Sequence, residues 1–139
     1  MNQLTIFHIN TERTFRGGEV QTLLLAKQLQ VNGHQNFVFA QKKSLLAQEA
    51  RGDGLITLEL GMRGEWDLYA ARKIRKAIRD NSPGILHAHT PHACALAILA
   101  RGRRSLPAIV FSRRISAPLK RTTKYRQVDA LLAVSPAIR

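Results

Sequence analysis

Two spacings of apolar residues alternate along this chain. Leu4-Thr5-Ile6-Phe7-His8-Ile9-Asn10 is rich in β-branched and aromatic residues and predicts a strand. Its near-continuous apolar character suits a strand buried in a parallel sheet. A polar loop, Thr11 to Arg16, leads to Gly17-Gly18, and from Glu19 the period becomes helical. Val20, Leu23, Leu24, Lys27 and Val31 mark successive turns, Leu25, Ala26 and Leu29 widen the stripe, and Gly33 supplies a left-handed cap. Asn36 to Ala40 predicts a second strand. Ser44 caps a short helix through Ala50 that Gly52 and Gly54 close, and Leu55 to Leu60 predicts a third strand.

The alternation continues downstream. Asp67 caps a helix reaching about Asp80, with Leu68, Ala71, Ile74 and Ile78 on its apolar face and Arg72, Lys73, Arg75, Lys76 and Arg79 around the remainder. Ser82-Pro83-Gly84 is a loop, and Ile85 to His89 is a fourth strand. Pro91 opens a helix at its first turn, Ala93 to Ala100 continues it, and Gly102 stops it. Ala108 to Ser112 is a fifth strand, Ser116 to Gln127 a basic loop, and Ala130 to Val134 a sixth strand. Ser135-Pro136-Ala137 reads as the cap and first turn of another helix. Strand and helix in strict succession predict an α/β fold: a doubly wound, mostly parallel, Rossmann-like sheet in one domain over residues 1–139. Ligands of such sheets bind beyond the carboxyl ends of the strands, where strand order reverses. That rule selects Asn10 to Gly18, His89 to His92, and Ser112 to Ile115.

Composition narrows the class. Hydrophobic residues make up 45% and charged residues 22% of 139 positions, which are globular values. No apolar run reaches the roughly 18 residues of a membrane span, and Met1-Asn2-Gln3-Leu4 has no secretion-signal pattern. One cysteine, Cys94, forms no internal disulfide, which fits the cytoplasm. Charge is the outlier. Lys and Arg number 22 against 9 Asp and Glu, a net +13. That field attracts nucleic acid, anionic lipid or phosphorylated substrates without choosing among them.

Three motifs bear on chemistry. Gly17-Gly18 sits between a strand and a helix, where glycine lets a backbone approach a ligand and helix-terminal amides favour phosphate. The spacing is neither a dinucleotide fingerprint nor a P-loop, and an ordinary tight turn is the competing reading. Glu19 reads as a first-turn acid supporting the helix dipole. His87 and His89 share a strand face, with His89 nearer the functional end and His92 beyond it. No cysteine or carboxylate accompanies them at ligand spacing, so no metal site is expected, and His87 reads as structural. Basic residues cluster at Arg101, Arg103 and Arg104 and again from Arg113 to Arg126. The basic, amphipathic helix from Asp67 suits a peripheral membrane face. Aromatics for stacking bases are scarce, which weakens a nucleic-acid reading.

Taken in order, several segments resemble the N-terminal half of a family-4, retaining glycosyltransferase of the GT-B fold. They are Phe7-His8-Ile9-Asn10, Arg16-Gly17-Gly18-Glu19-Val20-Gln21, Leu25 to Leu29 with Gly33-His34, Ile85 to Pro91, and Val128 to Ser135. The resemblance implies an acceptor-side domain that faces a nucleotide-sugar domain across a cleft, the second domain lying outside this chain. Gly17 and Gly18 would approach the donor diphosphate, and His89 and Thr90 would lie near the cleft and acceptor. Many members carry a histidine just after the fifth strand. Here Arg113 falls in that region and could hold a phosphate or an acceptor anion.

The expected activity is sugar transfer from a nucleotide sugar to a cell-envelope glycolipid or polysaccharide. The expected location is the cytoplasm, with possible attachment to the anionic inner face of the membrane. No cofactor is expected beyond the donor substrate, and the resemblance assigns no catalytic residue. This chain alone would be inactive and would self-associate as a homodimer near the sixth strand. The alternative is a non-enzymatic basic α/β module that binds nucleic acid or another polyanion.

Overall fold

The structure, a computed structural model, describes residues 3–64, 66–113 and 127–133, excepting the side chains of Arg113 and Ala133. Among the described residues ten elements follow one another: β1 (Thr5–Ile9), α1 (Gly17–Val31), β2 (Gln35–Gln41), α2 (Leu45–Gly52), β3 (Ile56–Leu60), α3 (Leu68–Asn81), β4 (Ile85–Ala88), α4 (Pro91–Arg101), β5 (Ala108–Arg113) and β6 (Ala130–Ala133). The strands form one six-stranded sheet in the order β3-β2-β1-β4-β5-β6. Every pairing is parallel. The chain winds outward from β1 to β3, then returns to place β4 on the other side of β1. The order therefore reverses between β1 and β4, and the carboxyl ends of those two strands form the crevice of a doubly wound sheet.

Local chemistry explains the element ends. The Ser44 hydroxyl accepts from the Ala47 N–H at 3.2 Å, and Asp67 Oδ1 accepts from the Ala70 N–H at 3.0 Å. Thr90 Oγ1 accepts from the Ala93 N–H at 3.1 Å, with Pro91 in the first turn of α4. Each satisfies a donor that the first helical turn leaves unpaired. Gly33 adopts a φ of +93°, as its place after α1 requires.

The two sheet faces differ. Phe7, Ile9, Phe37, Phe39, Leu86, Ile109 and Phe111 point to one side and pack against α3 and α4 through Ala70, Ile74, Ile78, Leu96 and Ala97. The Phe7 ring lies 5.0 Å from Phe37 and 4.9 Å from Phe39. The other side carries a smaller apolar cluster in which Val38 and Ala40 meet Leu23, Ala26, Leu46 and Ala50 of α1 and α2.

Two helix faces differ from the sequence expectation. In α1 the buried row is Glu19, Thr22, Leu23 and Ala26, while Leu24 is 56% and Val31 80% exposed. The leucine run wraps most of the helix, so periodicity alone leaves several rotations open. Thr22 selects one, because its hydroxyl donates to the Gly18 carbonyl at 2.9 Å and accepts from Asn10 Nδ2 at 3.1 Å. In α3 the buried row is Ala70, Ala71, Ile74, Ala77 and Ile78, and Leu68 is exposed together with Trp66 and Tyr69. The expected basic loop, apart from Gln127, and the helix from Ser135 lie outside the described residues.

Candidate functional site

The reversal between β1 and β4 opens a cleft of about 270 Å³. Its wall combines the loop after β1 (Asn10, Glu12, Thr14, Arg16), the start of α1 (Gly18, Glu19), the end of β4 with the start of α4 (His89, Thr90, Pro91), and β5 (Phe111, Ser112). The three stretches selected by the ligand-end rule thus supply residues to one site.

Buried hydrogen bonds hold the loop after β1. The Asn10 N–H donates to the Phe39 carbonyl at 3.1 Å, continuing the β1–β2 ladder past the strand end. Asn10 Oδ1 accepts from the Glu12 N–H at 3.0 Å, turning the chain, while Nδ2 reaches Thr22. Gln41 Nε2 donates to the Thr11 carbonyl at 2.8 Å and the Met62 carbonyl at 2.6 Å, and Gln41 Oε1 accepts from the Met62 N–H at 2.9 Å. The Thr11 and Thr90 hydroxyls lie 2.7 Å apart and join the two sides of the cleft.

Glu19 is buried, and its Oε2 accepts from the Arg16 N–H at 3.2 Å. It therefore closes the helix start, as its first-turn position suggests. The remaining first-turn N–H groups of α1 form the positive end of a helix dipole beside Gly18. Gly17 has open space where a Cβ would sit, and neither Gly17 nor Gly18 needs a left-handed backbone. Gly18 lines the cleft, whereas Gly17 stands outside its lining. The main chain of Arg113 ends β5, and its side chain lies outside the described residues.

Beneath the cleft lies a buried stack of three histidines. His8 and His87 are direct neighbours across the β1–β4 pairing, and His89 follows on the same side. The His87 and His89 rings are 4.1 Å apart and 15° from parallel, and His8 lies 5.3 Å from His89. Asn36 determines the proton positions. Its Nδ2 donates to the His34 carbonyl at 3.2 Å, so its Oδ1 accepts from His8 Nε2–H at 2.8 Å. His8 Nδ1 is then an acceptor, and His89 Nε2–H donates to it across 3.1 Å. Burial pushes the His8 imidazole down to about 4, with the Asn36 hydrogen bond opposing the shift. His87 Nε2 meets Ser112 Oγ at 2.5 Å.

The three histidines offer nitrogens within 4.8 Å of one another, a spacing that one metal ion could bridge. In this arrangement His8 spends both nitrogens on protein partners. The flat stack also sets the in-plane lone pairs of His87 and His89 side by side instead of on a common point. The cluster is a hydrogen-bonded chain from Asn36 through His8 to His89, which fixes the ring that lines the cleft. His92 stands apart from it, on a neighbouring depression lined by Thr11, Gln41 and Arg63.

Sequence reasoning gave no role to His8, Asn36, Gln41 and Thr22, although it selected the stretch that begins at Asn10. For His8, Asn36 and Gln41 the available signal was a polar residue inside an otherwise apolar strand, because such a group needs a buried partner.

Residues 15–139 match the model of glycosyltransferase family 4. No curated protein sequence matches. Among solved structures, the chain is similar to MurG of Acinetobacter baumannii (13% identity, 92% of this chain and 40% of that one, TM-score 0.73). It is also similar to Anabaena Alr3699/HepE in complex with UDP (11% identity, 97% and 39%, TM-score 0.72). A third likeness is to the apo form of the lipopolysaccharide outer core galactosyltransferase WaaB (14% identity, 96% and 40%, TM-score 0.63). The chain thus spans about two-fifths of the length of these structures. The likeness extends to the fold: a parallel, Rossmann-like sheet of the GT-B glycosyltransferases.

Proposed function

The chain belongs to glycosyltransferase family 4, and on that premise we propose that it forms the acceptor-side domain of an enzyme moving a sugar from a nucleotide sugar to a cell-envelope glycolipid or polysaccharide. One observation carries the reading: Gly18 at the start of α1, His89, Thr90 and Ser112 converge on a single cleft at the reversal of the sheet. HepE, captured with UDP, supports a nucleoside diphosphate as leaving group, and WaaB supports a glycolipid acceptor.

The chemistry assigned to this domain is positioning and charge stabilisation. The first turn of α1 directs N–H groups and a positive dipole end toward the cleft, where a leaving diphosphate gains most. Glycine at 18 keeps that approach open. His89, with its Nε2–H committed to His8, presents a ring of fixed orientation to the acceptor side. Thr90 holds the start of α4 and, through Thr11, the opposite loop. Arg113 and Gly17 complete the proposed set beside the acceptor and the diphosphate. A second domain that grips the nucleotide sugar would complete the site, so this chain by itself would transfer no sugar.

Among the described residues no helix is long and apolar enough to cross a membrane. We place the enzyme in the cytoplasm, at the inner face of the membrane. At the start of α3, Trp66, Leu68 and Tyr69 are exposed beside Arg72, Lys73 and Lys76, a combination suited to an anionic lipid surface.

The test is Gly18→Val in the protein that carries this chain. Expected is a loss of transfer with the fold intact and donor affinity weakened about tenfold or more, as an added side chain blocks the backbone approach. Unchanged turnover and donor affinity would reduce the glycines to a turn. Binding of nucleic acid in preference to any nucleotide sugar would favour a polyanion-binding module.

A further inference from the structure

A second depression lies at the far end of α4, one 11-residue helix and so about 16 Å from Thr90. It encloses about 250 Å³, and four arginines line it: Arg75, Arg101, Arg103 and Arg104. Among the described residues no carboxylate and no aromatic ring lines it. This site is independent of the glycosyltransferase reading and sits apart from the cleft.

Two of the arginines are held in place. Arg75 Nε donates to the Ala100 carbonyl at 2.9 Å and Nη2 to the Leu99 carbonyl at 3.0 Å, across the C-terminal turn of α4. Arg101 has a side chain only 8% exposed. Its Nη1 donates to Asp129 Oδ2 at 2.9 Å and its Nη2 to the Gln127 carbonyl at 2.9 Å. Its buried Nε–H has no acceptor among the described residues. Gly102, at φ +70°, turns the chain between them, and a Cβ there would stand 3.4 Å from Arg75 Nη2. Arg103 and Arg104 are exposed and form no ion pair among the described residues.

The charge balance is unusual even for a chain of +13. Elsewhere Lys27 faces Asp53, Arg51 faces Glu59 and Lys76 faces Asp80. Here, among the described residues, one carboxylate, Asp129, pairs with Arg101 alone, and Arg75 is held by main-chain carbonyls. Like charges gathered in one concavity repel, and an oxyanion relieves that repulsion most effectively. Guanidinium forks match phosphoryl oxygens in pairs, and fixed forks lose little freedom on binding. Among the described residues no aromatic wall offers a platform for a nucleobase.

We propose that this depression binds a phosphoryl anion, either a phosphomonoester or a pyrophosphate group. A soluble metabolite and a lipid headgroup both present such a group, the chemistry of recognition being shared.

The experiment follows the amide signals of Gly102, Arg103 and Arg104 in the full chain while pyrophosphate is added at constant ionic strength. A saturable shift is expected. Arg103→Glu with Arg104→Glu should weaken it by about tenfold or more, and the double Lys variant should fall between, keeping charge but losing the fork. The charge-matched control, Lys27→Glu with Lys42→Glu, should stay within about twofold, since distant exposed charges are screened. Vesicles carrying phosphatidic acid, a lipid phosphomonoester, separate the sources. Capture that depends on Arg103 and Arg104 identifies a headgroup, whereas pyrophosphate saturation with unchanged capture identifies a soluble ligand. The proposal is overturned if sodium chloride reproduces the shifts, if the control double weakens binding equally, or if a short single-stranded RNA shifts these amides and pyrophosphate does not.

Discussion

Alternate residues of the same strands build two unlike surfaces. Phe7, Phe37, Phe39 and Phe111 face α3 and α4 as a close-packed aromatic layer, while the polar chain of Asn36, His8 and His89 and the pair of His87 and Ser112 face the other way. One step along β1, from Phe7 to His8, passes from the first to the second. The aromatic layer gains its stability from apolar area removed from water. The polar chain gains little net energy, but a broken bond in it leaves a buried group unsatisfied, so it enforces one geometry. The rigid layer supports the sheet, and the exacting layer ends at the cleft.

The largest effect should come from breaking the aromatic side. Phe39 is 1% exposed between Phe7 and the helices, and Phe39→Ala should cost about 3–5 kcal/mol in urea unfolding. A cost below about 1 kcal/mol would show that this layer is not the core.

Acid should break the other side. The His8 pKa falls to about 4 in the folded protein from 6.5, so the unfolded chain takes up the proton first as pH drops. Stability is complete above pH 6.5 and declines toward pH 4, by about 3 kcal/mol at the limit. His8→Gln should flatten that part of the pH profile. An unchanged slope would remove His8 as its source.

Much of this contrast was legible in the sequence, and part was hidden for a physical reason. Apolar spacing located all ten elements to within a few residues, and Ser44, Asp67 and Pro91 marked helix starts where they stand. The ligand-end rule brought Gly18, His89, Thr90 and Ser112 to one cleft. The helical rotation of α1 was not legible, because a run of three leucines fits several faces and a threonine hydrogen bond decides among them. The polar chain was invisible for a similar reason. His8 and Asn36 belong to different strands, and only the β1–β2 register shows that they meet. Arg101 read as one member of a basic cluster, and only the fold shows its side chain to be buried.

A smaller effect sharpens the comparison where the two surfaces meet. Thr90→Ala removes the α4 cap and the contact to Thr11, and should cost about 1 kcal/mol, reported by thermal unfolding. Thr90→Ser keeps both hydroxyl bonds and should recover most of it. The smallest effect belongs to the outer surface of α3. Lys73→Glu with Lys76→Glu should leave stability within about 0.5 kcal/mol while lowering binding to anionic vesicles, since the Lys76–Asp80 pair is exposed. Equal binding to neutral vesicles would sink the membrane assignment.

The central claim is that the polar side of the sheet ends in a ligand site at the β1–β4 reversal. Its direct test is amide shift mapping with UDP, made on the Arg103→Glu, Arg104→Glu background so that the second depression does not contribute. The account predicts the largest saturable shifts at Gly18, His89 and Ser112, with Phe7 and Phe39 unmoved. Shifts spread evenly over the basic surface, with none concentrated at those three residues, would contradict it.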